Sequence, residues 1–384
     1  MTFEFATAAR ILFGPGTLAQ AGKLTRDCGR HALIVTGRKA ERAEPLRQVL
    51  REAGVAETTH TVAGEPAIDD VERGVTEARE AGCDCVIGFG GGSALDTAKA
   101  IAGLLTNGSD LHDYLEVVGK AQPLARPAAP CLAIPTTAGT GAEVTRNAVL
   151  FSPANRVKVS LRSPHLLPRI AVVDPTLTLG LPPAITATTG LDALTQLIEP
   201  YTSCRAQPLT DALCVEGLRR AARSLRRAVD AGQDLDARTD LAFASLCGGL
   251  ALANAGLGAV HGFAGPIGGM FPAPHGAICA ALLPHVMSAN LAALRTRAPG
   301  HAALVRYDDV ARLLTGSPQA VADDGVRWVA DLTAHLHLPR LANLGIKVAD
   351  VSAVVSAAAR ASSMKANPLP LTADELEHIL REAL

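Results

Sequence analysis

The sequence predicts two domains, an α/β region over residues 1–180 followed by an all-α region over residues 181–384. Three observations lead to this. Short β-branched runs alternate with helix-like stretches in the first half, and glycine-rich turns close those runs. The second half consists of alanine- and leucine-rich segments with apolar residues at three- and four-residue spacing. A chain of 384 residues also exceeds one typical domain.

The elements follow in order. "HALIVTG" at 31–37 reads as a strand stopped by glycine, and "EPLRQVLREAGV" at 44–55 has helical spacing. "CDCVIGFGGG" at 83–92 is a second strand, "APCLAIPTTAGTG" at 129–141 a third, and "RIAVVDPTL" at 169–177 the last. Repeated strand–helix alternation implies a mostly parallel sheet. The boundary is placed near residue 180, because Pro182 and Pro183 stop any element continuing from the sheet. Beyond it, "PLTDALCVEGLRRAARSLRRAVDAG" and "RTDLAFASLCGGLALANAGLG" read as long helices, and "GLDALTQLIEPY" at 190–201 as the opening of an amphipathic one.

Composition excludes several classes. The net charge is −1 and no basic stripe occurs, so nucleic acid is not an expected partner. No run approaches the roughly 20 apolar residues of a membrane span, and no charged segment precedes an apolar core at the N-terminus, so a cytoplasmic protein is expected. The eight cysteines lie scattered in apolar surroundings and read as buried thiols. Cys83 and Cys85, placed on one strand, would face opposite sides of it.

"GFGGGSALDTAKAIAGLL" sets Gly90, Gly91, Gly92 and Ser93 at a strand-to-helix junction. Glycine lets the backbone approach a phosphate, and the free N–H groups of a helix start attract an anion. Ser93 and Asp96 fall at the cap and first turn, where each either caps the helix or touches a ribose; a plain glycine turn is the competing reading. "PTTAGTGAEVT" follows the next strand with hydroxyls at Thr136, Thr137 and Thr140. Two such loops at neighbouring strand ends suggest a dinucleotide across the sheet edge, although the fingerprint G-x-G-x-x-G is absent. After the first strand, Gly37 stands beside Arg38, Lys39 and Arg42. An acid directly after the strand would favour a free 2′-hydroxyl, whereas this glycine and the positive charge leave room for a 2′-phosphate, so the preference leans to NADP, with solvated surface charges as the alternative.

Among eleven histidines, His335 and His337 alternate in "HLHL" while His31, His60, His112, His301 and His378 sit among polar neighbours, and all seven read as surface or loop groups. His261 and His275 instead lie in apolar, glycine-rich stretches, where an unpaired imidazole is costly. With Asp192 and Gln196, one turn apart on their helix, these histidines either converge on one divalent cation or form a hydrogen-bonded core cluster.

The motifs "ILFGPGTL", "GFGGGSALDTAKA", "PTTAGTGAEVT", "VDPTLT", "GLDALTQLIEPYTS", "HGAICAALLPHVM" and "MKANPLPLTADEL" run nearly end to end and resemble the iron-containing, group III, alcohol dehydrogenases, relatives of glycerol dehydrogenase and dehydroquinate synthase. Some stretches are similar to maleylacetate reductases. The resemblance implies an N-terminal dinucleotide-binding α/β domain, a helical C-terminal domain, an active site in the cleft between them, and a homodimer or larger homo-oligomer. It implies cofactor contacts at Gly91, Gly92, Ser93, Asp96, Thr136, Thr137, Thr140 and Lys158, and a divalent metal, iron or zinc, at Asp192, Gln196, His261 and His275, of which Asp192, His261 and His275 are catalytic. Hydride transfer between NAD(P) and a small alcohol or carbonyl substrate follows from it. The alternatives are metal-independent reduction of a carboxylated substrate by a maleylacetate reductase-like enzyme, with Arg162 and Arg169 as candidate carboxylate contacts, and a non-catalytic nucleotide-binding relative. The chain departs from the family pattern at Gln196, where a histidine is usual, at Gly265, where many relatives carry another, and at Glu65, where many have asparagine.

Overall fold

A computed structural model describes residues 2–108 and 110–384. The chain forms two compact units: Ala6–Thr137 with Gly141–Leu179, and Gly180–Leu384 with Ala138–Thr140 and the residues up to Phe5.

The first unit contains eight strands, six of them in one parallel sheet. In chain order the strands are β1 (Arg10–Phe13), β2 (His31–Gly37), β3 (Ala56–Val62), β4 (Cys85–Gly90), β5 (Cys131–Pro135), β6 (Asn147–Ser152), β7 (Val157–Arg162) and β8 (Ile170–Val173). The large sheet has the order β1-β8-β5-β4-β2-β3, whereas β6 and β7 form a separate antiparallel hairpin. The helices α1 (Ala21–Arg26), α2 (Glu44–Glu52), α3 (Ile68–Glu80) and α4 (Gly92–Asn107) complete the unit. One apolar layer joins the sheet to α1 and α2 through Leu24, Leu46 and Leu50; the other joins it to α3, α4 and the hairpin through Val71, Ile101 and Leu150. With both faces covered, the inner strands are continuously apolar, and β4 is buried at every position.

The chain winds from β2 to β3 on one side and then to β4 and β5 on the other, so the strand order reverses between β2 and β4. A doubly wound sheet opens a crevice at the carboxyl ends of such a pair. Gly37 ends β2 and Gly90 ends β4; a Cβ on Gly90 would stand 2.7 Å from Ala94 Cβ, so α4 leaves the strand closely enough to require glycine. A buried lysine fixes the hairpin to α4. Lys99 Nζ donates to Ala142 O at 2.9 Å and Thr145 Oγ1 at 3.0 Å, bonds Asn147 O, and pairs with Asp96 at 2.8 Å.

The second unit is helical: α5 (Pro183–Thr202), α6 (Pro208–Asp230), α7 (Leu235–Ala255), α8 (Ala259–Met270), α9 (His275–Arg297), α10 (Ala303–Thr315), α11 (Ala322–His335), α12 (Val351–Ala358) and α13 (Ala373–Ala383). Pro182 and Pro183 do more than end the sheet region. Pro183 occupies the first helical position of α5, where a missing N–H costs nothing. The buried Arg238 of α7 anchors this entry, donating to Thr186 Oγ1 at 2.7 Å and to Leu181 O at 3.3 Å. By length and composition α9 could cross a membrane, but 78% of its apolar window is buried within the unit, which is the position of a core helix.

Three local expectations change. "GLDALTQLIEPY" does not open a helix; it is the buried C-terminal part of α5, whose start lies upstream at Pro183 and whose threonines Thr186, Thr188 and Thr189 bond their hydroxyls to carbonyls of the preceding turn. His60 is a buried strand residue whose Nδ1 meets Glu77 Oε2 at 2.8 Å. Cys83 precedes β4, so the two cysteines are not strand neighbours; all eight cysteines are thiols, five of them buried.

Candidate active site

The helical unit gathers a buried group of metal-type donors. Asp192 projects from the middle of α5, His261 from the first turn of α8, and His275 and Cys279 from the first two turns of α9. One ligand atom from each of these four lies within 4.8 Å of every other. Cys279 is the member that sequence reasoning missed; its signal is the four-residue spacing from His275, which sets both on one helix face.

His261 Nε2 stands 3.4 Å from Asp192 Oδ1, and His275 Nε2 stands 3.6 Å from the same oxygen. Both separations exceed a hydrogen bond, and Asp192 Oδ1 is buried with no hydrogen-bond partner among the described residues. An orphaned carboxylate oxygen facing two imidazole nitrogens is the arrangement expected where a cation belongs. Gln196 lies one turn beyond Asp192, is also buried, and its Oε1 likewise lacks a partner among the described residues. The residues therefore fit a divalent cation.

Behind His261 stands a group the sequence reading did not single out. Glu199 Oε2 bonds His261 Nδ1 at 2.6 Å, and Glu199 Oε1 accepts the Val260 N–H at 2.7 Å. Glu199 is seven residues from Asp192 on α5, so the helical repeat itself was the signal. The pairing puts a proton on Nδ1 and turns Nε2 towards Asp192, the usual carboxylate–histidine support of a metal site. Gly258 makes room for it: a Cβ there would fall 2.9 Å from Glu199 Oε1.

Burial opposes the Asp192 carboxylate, but His275 and His261 outweigh it and hold its pKa below the ordinary value. Burial also opposes the His261 imidazolium, yet the surrounding Cys279, Glu199 and Asp192 raise its pKa well above that of free histidine. Desolvation pushes the Cys279 thiol up to about 12.

In the α/β unit, Gly91 is the N-cap of α4 and supplies no side-chain cap bond. The first-turn N–H groups of α4 are therefore not engaged by a capping side chain, as anion binding needs. Neither Ser93 nor Asp96 caps the helix, so of the two expected roles capping is ruled out. Asp96 lies a turn further on, where its Oδ2 accepts the Val149 N–H at 3.0 Å and its Oδ1 meets Lys99, so this carboxylate ties the hairpin down. The β5 loop runs beside the glycine turn: Thr136 N donates to Gly90 O at 2.8 Å, and a Cβ on Gly91 would stand 3.4 Å from Thr137 Oγ1. Thr140 belongs to the short segment grouped with the helical unit. Lys158, on β7, is paired with Glu65 at 2.9 Å. Arg38 at the end of β2 donates to Ala63 O at 2.9 Å, and a Cβ on Gly37 would meet nothing within 4 Å. Arg162 and Arg169 are exposed, and Arg162 stands 3.5 Å from Glu116.

With this geometry established, similarity to known proteins is informative. Residues 8–175 match the family model described as iron-containing alcohol dehydrogenase, and residues 186–384 match the C-terminal model of the Fe-containing alcohol dehydrogenase family. The chain is 36% identical to alcohol dehydrogenase 4 of Schizosaccharomyces pombe, over 97% of this chain and 87% of that protein. A crystal structure of 1,3-propanediol oxidoreductase superposes with a TM-score of 0.93 at 34% identity, covering 100% of both chains. Sulfoacetaldehyde reductase from Bifidobacterium kashiwanohense, solved in complex with NAD+, superposes with a TM-score of 0.87 at 26% identity over 99% of this chain and 98% of that one.

Proposed function

The chain belongs to the iron-containing alcohol dehydrogenase family, an oxidoreductase family, and from that premise we propose that it moves a hydride reversibly between a nicotinamide dinucleotide and the carbinol carbon of a small alcohol, with a divalent cation held at Asp192, His261 and His275. The observation that carries this reading is the orphaned Asp192 oxygen facing two imidazole nitrogens at 3.4 and 3.6 Å. When bound, the cation supplies Lewis acidity towards the substrate oxygen, and the nicotinamide supplies the hydride acceptor.

The chain's own residues do the rest. Asp192 contributes the anionic donor. Glu199 keeps a proton on His261 Nδ1, so that Nε2 is the nitrogen that would meet the cation. His275, less buried than its neighbours, offers the most accessible donor of the group. Gly265 leaves open space, since a Cβ there would meet no atom within 4 Å; no imidazole stands at that position to relay a proton.

The reading of the dinucleotide is supported by the strand-order reversal between β2 and β4 and by the uncapped start of α4 at Gly91 and Gly92. Ser93, Thr136, Thr137, Thr140 and Lys158 are its further polar contacts, and the NAD+ held by the Bifidobacterium reductase supports the same class of cofactor. The 2′-phosphate form is favoured by the open space at Gly37 with Arg38 beside it. The test is NADPH-dependent reduction of a panel of short aldehydes by the intact protein. His275→Ala abolishes turnover with NADPH affinity retained if the assignment holds; unchanged turnover in that variant rejects it.

A further inference from the structure

We propose that Cys279 is a fourth protein ligand to the cation beside Asp192, His261 and His275, in a zinc-type site that expands to five-coordinate when the substrate oxygen binds, with Gln196 outside the inner set. The inference rests on the metal-assisted reading above and deepens it.

The distances among the four donors carry it. Metal–nitrogen and metal–oxygen bonds of about 2.0–2.1 Å and a metal–sulfur bond of about 2.3 Å, set at tetrahedral angles, give nitrogen–oxygen edges of roughly 3.3 Å and nitrogen–sulfur edges of roughly 3.6 Å. The structure has His261 Nε2 to Asp192 Oδ1 at 3.4 Å and His275 Nε2 to Asp192 Oδ1 at 3.6 Å. Cys279 Sγ stands 3.7 Å from His275 Nε2 and 3.9 Å from His261 Nε2. These four of the six edges lie within a few tenths of an ångström of the tetrahedral values, and every edge is within 4.8 Å. A second, independent observation points the same way: the buried Asp192 Oδ1 in this group has no hydrogen-bond partner among the described residues.

Chemistry explains why sulfur enters the set. Gln196 stands where the family pattern has an imidazole, and an amide oxygen is a weaker donor. Cys279 supplies the missing strong donor from another helix. Asp192 and a Cys279 thiolate together carry two negative charges, which offset the charge of a divalent ion in a largely buried site. A thiolate also turns selectivity towards zinc and away from the harder oxygen-seeking cations. On binding, the sulfur–metal bond forms, the S–H bond breaks, and the proton leaves to solvent.

Cobalt(II) is the probe. The full-length protein is stripped, reloaded with one equivalent of cobalt and its near-ultraviolet spectrum recorded, beside Cys279→Ser and Cys204→Ser, the latter at an exposed cysteine. The expected result is an intense thiolate-to-cobalt charge-transfer band in the parent protein and in Cys204→Ser, absent from Cys279→Ser. Zinc affinity in Cys279→Ser is expected to fall by more than the roughly 10–100-fold typical of losing an outer-shell partner. Bound cobalt without that band in the parent protein overturns the assignment, as does a band that survives Cys279→Ser. Hydride transfer that still depends on the metal would then leave the proposed function standing. Protein that takes up neither cobalt nor zinc overturns both.

Discussion

Glu199 receives two hydrogen bonds from α8, one from His261 Nδ1 at 2.6 Å and one from Val260 N–H at 2.7 Å, so a single carboxylate on α5 orients both the imidazole and the helix start that carries it. Outer-shell partners of this kind typically account for about 10–100-fold in metal affinity. Glu199→Ala is accordingly expected to weaken zinc binding by that factor in a competitive chelator titration. Unaltered affinity would show that His261 needs no such support.

Gly258 extends the same argument from chemistry to packing. A Cβ at this position would sit 2.9 Å from Glu199 Oε1 and 3.0 Å from Asn367 Oδ1, displacing the carboxylate that holds His261. Gly258→Ala should therefore reduce metal affinity in the same direction as Glu199→Ala, although residue 258 has no donor of its own. If its chelator titration matches that of the parent, the carboxylate tolerates the shift.

Cofactor selectivity is expected to turn on the end of β2. Gly37 has open space around the position of a Cβ, and Arg38 lies next to it. An aspartate there would repel a 2′-phosphate and bond a 2′-hydroxyl. Gly37→Asp should shift the ratio of kcat/KM for NADPH over NADH by at least about tenfold towards NADH, or about 1.4 kcal/mol. Steady-state kinetics with both coenzymes decide it, and an unmoved ratio would place the ribose elsewhere.

Lys99 makes the α/β unit depend on a buried charge. Its ammonium group joins Asp96 to three oxygens of the Ala142–Asn147 segment. Lys99→Met leaves the largely buried Asp96 without its cation, and breaking such a pair costs about 3–5 kcal/mol. Chemical denaturation should register that loss; a change below about 1 kcal/mol would mean that water replaces the ammonium group easily.

Glu143 gives a pH dependence of definite sign. Burial lifts its pKa from 4.5 to about 7, against the opposing effects of its own N–H and Lys99. Between those values the native state holds a proton that the unfolded chain has released, so this residue lowers stability as pH rises through the window, and the cost is complete above about 7. At about 1.4 kcal/mol per pH unit the ceiling is about 3 kcal/mol. Glu143→Gln should flatten the stability profile over that range in the protein without dinucleotide. A profile with unchanged slope would refute the assignment.

Much of this architecture is legible in the sequence because burial leaves a strong pattern. Strands β2, β4, β5 and β8 are inner strands of a covered sheet and read as apolar runs, whereas β3 lies at one edge and its "AETTHTV" mixes exposed and buried positions, so it gives no such run. In α5, the threonine hydroxyls bond back to the helix, and Gly190 lets Leu225 of α6 approach closely, since a Cβ would fall 2.2 Å from its Cδ1. Asp192, His261 and His275 were visible as polar groups in apolar surroundings. Cys279 and Glu199 were not, because cysteine is at home in a core and one glutamate on a long helix is unremarkable until its partner across the helix interface is known.

The central claim is a cation-assisted hydride transfer. Elemental analysis of protein purified without chelators, paired with NADPH and NADH oxidation before and after metal removal, tests it most directly. The account predicts close to one equivalent of zinc or iron per chain, with activity lost on stripping and restored on reloading. Undiminished hydride transfer by metal-free protein would contradict it.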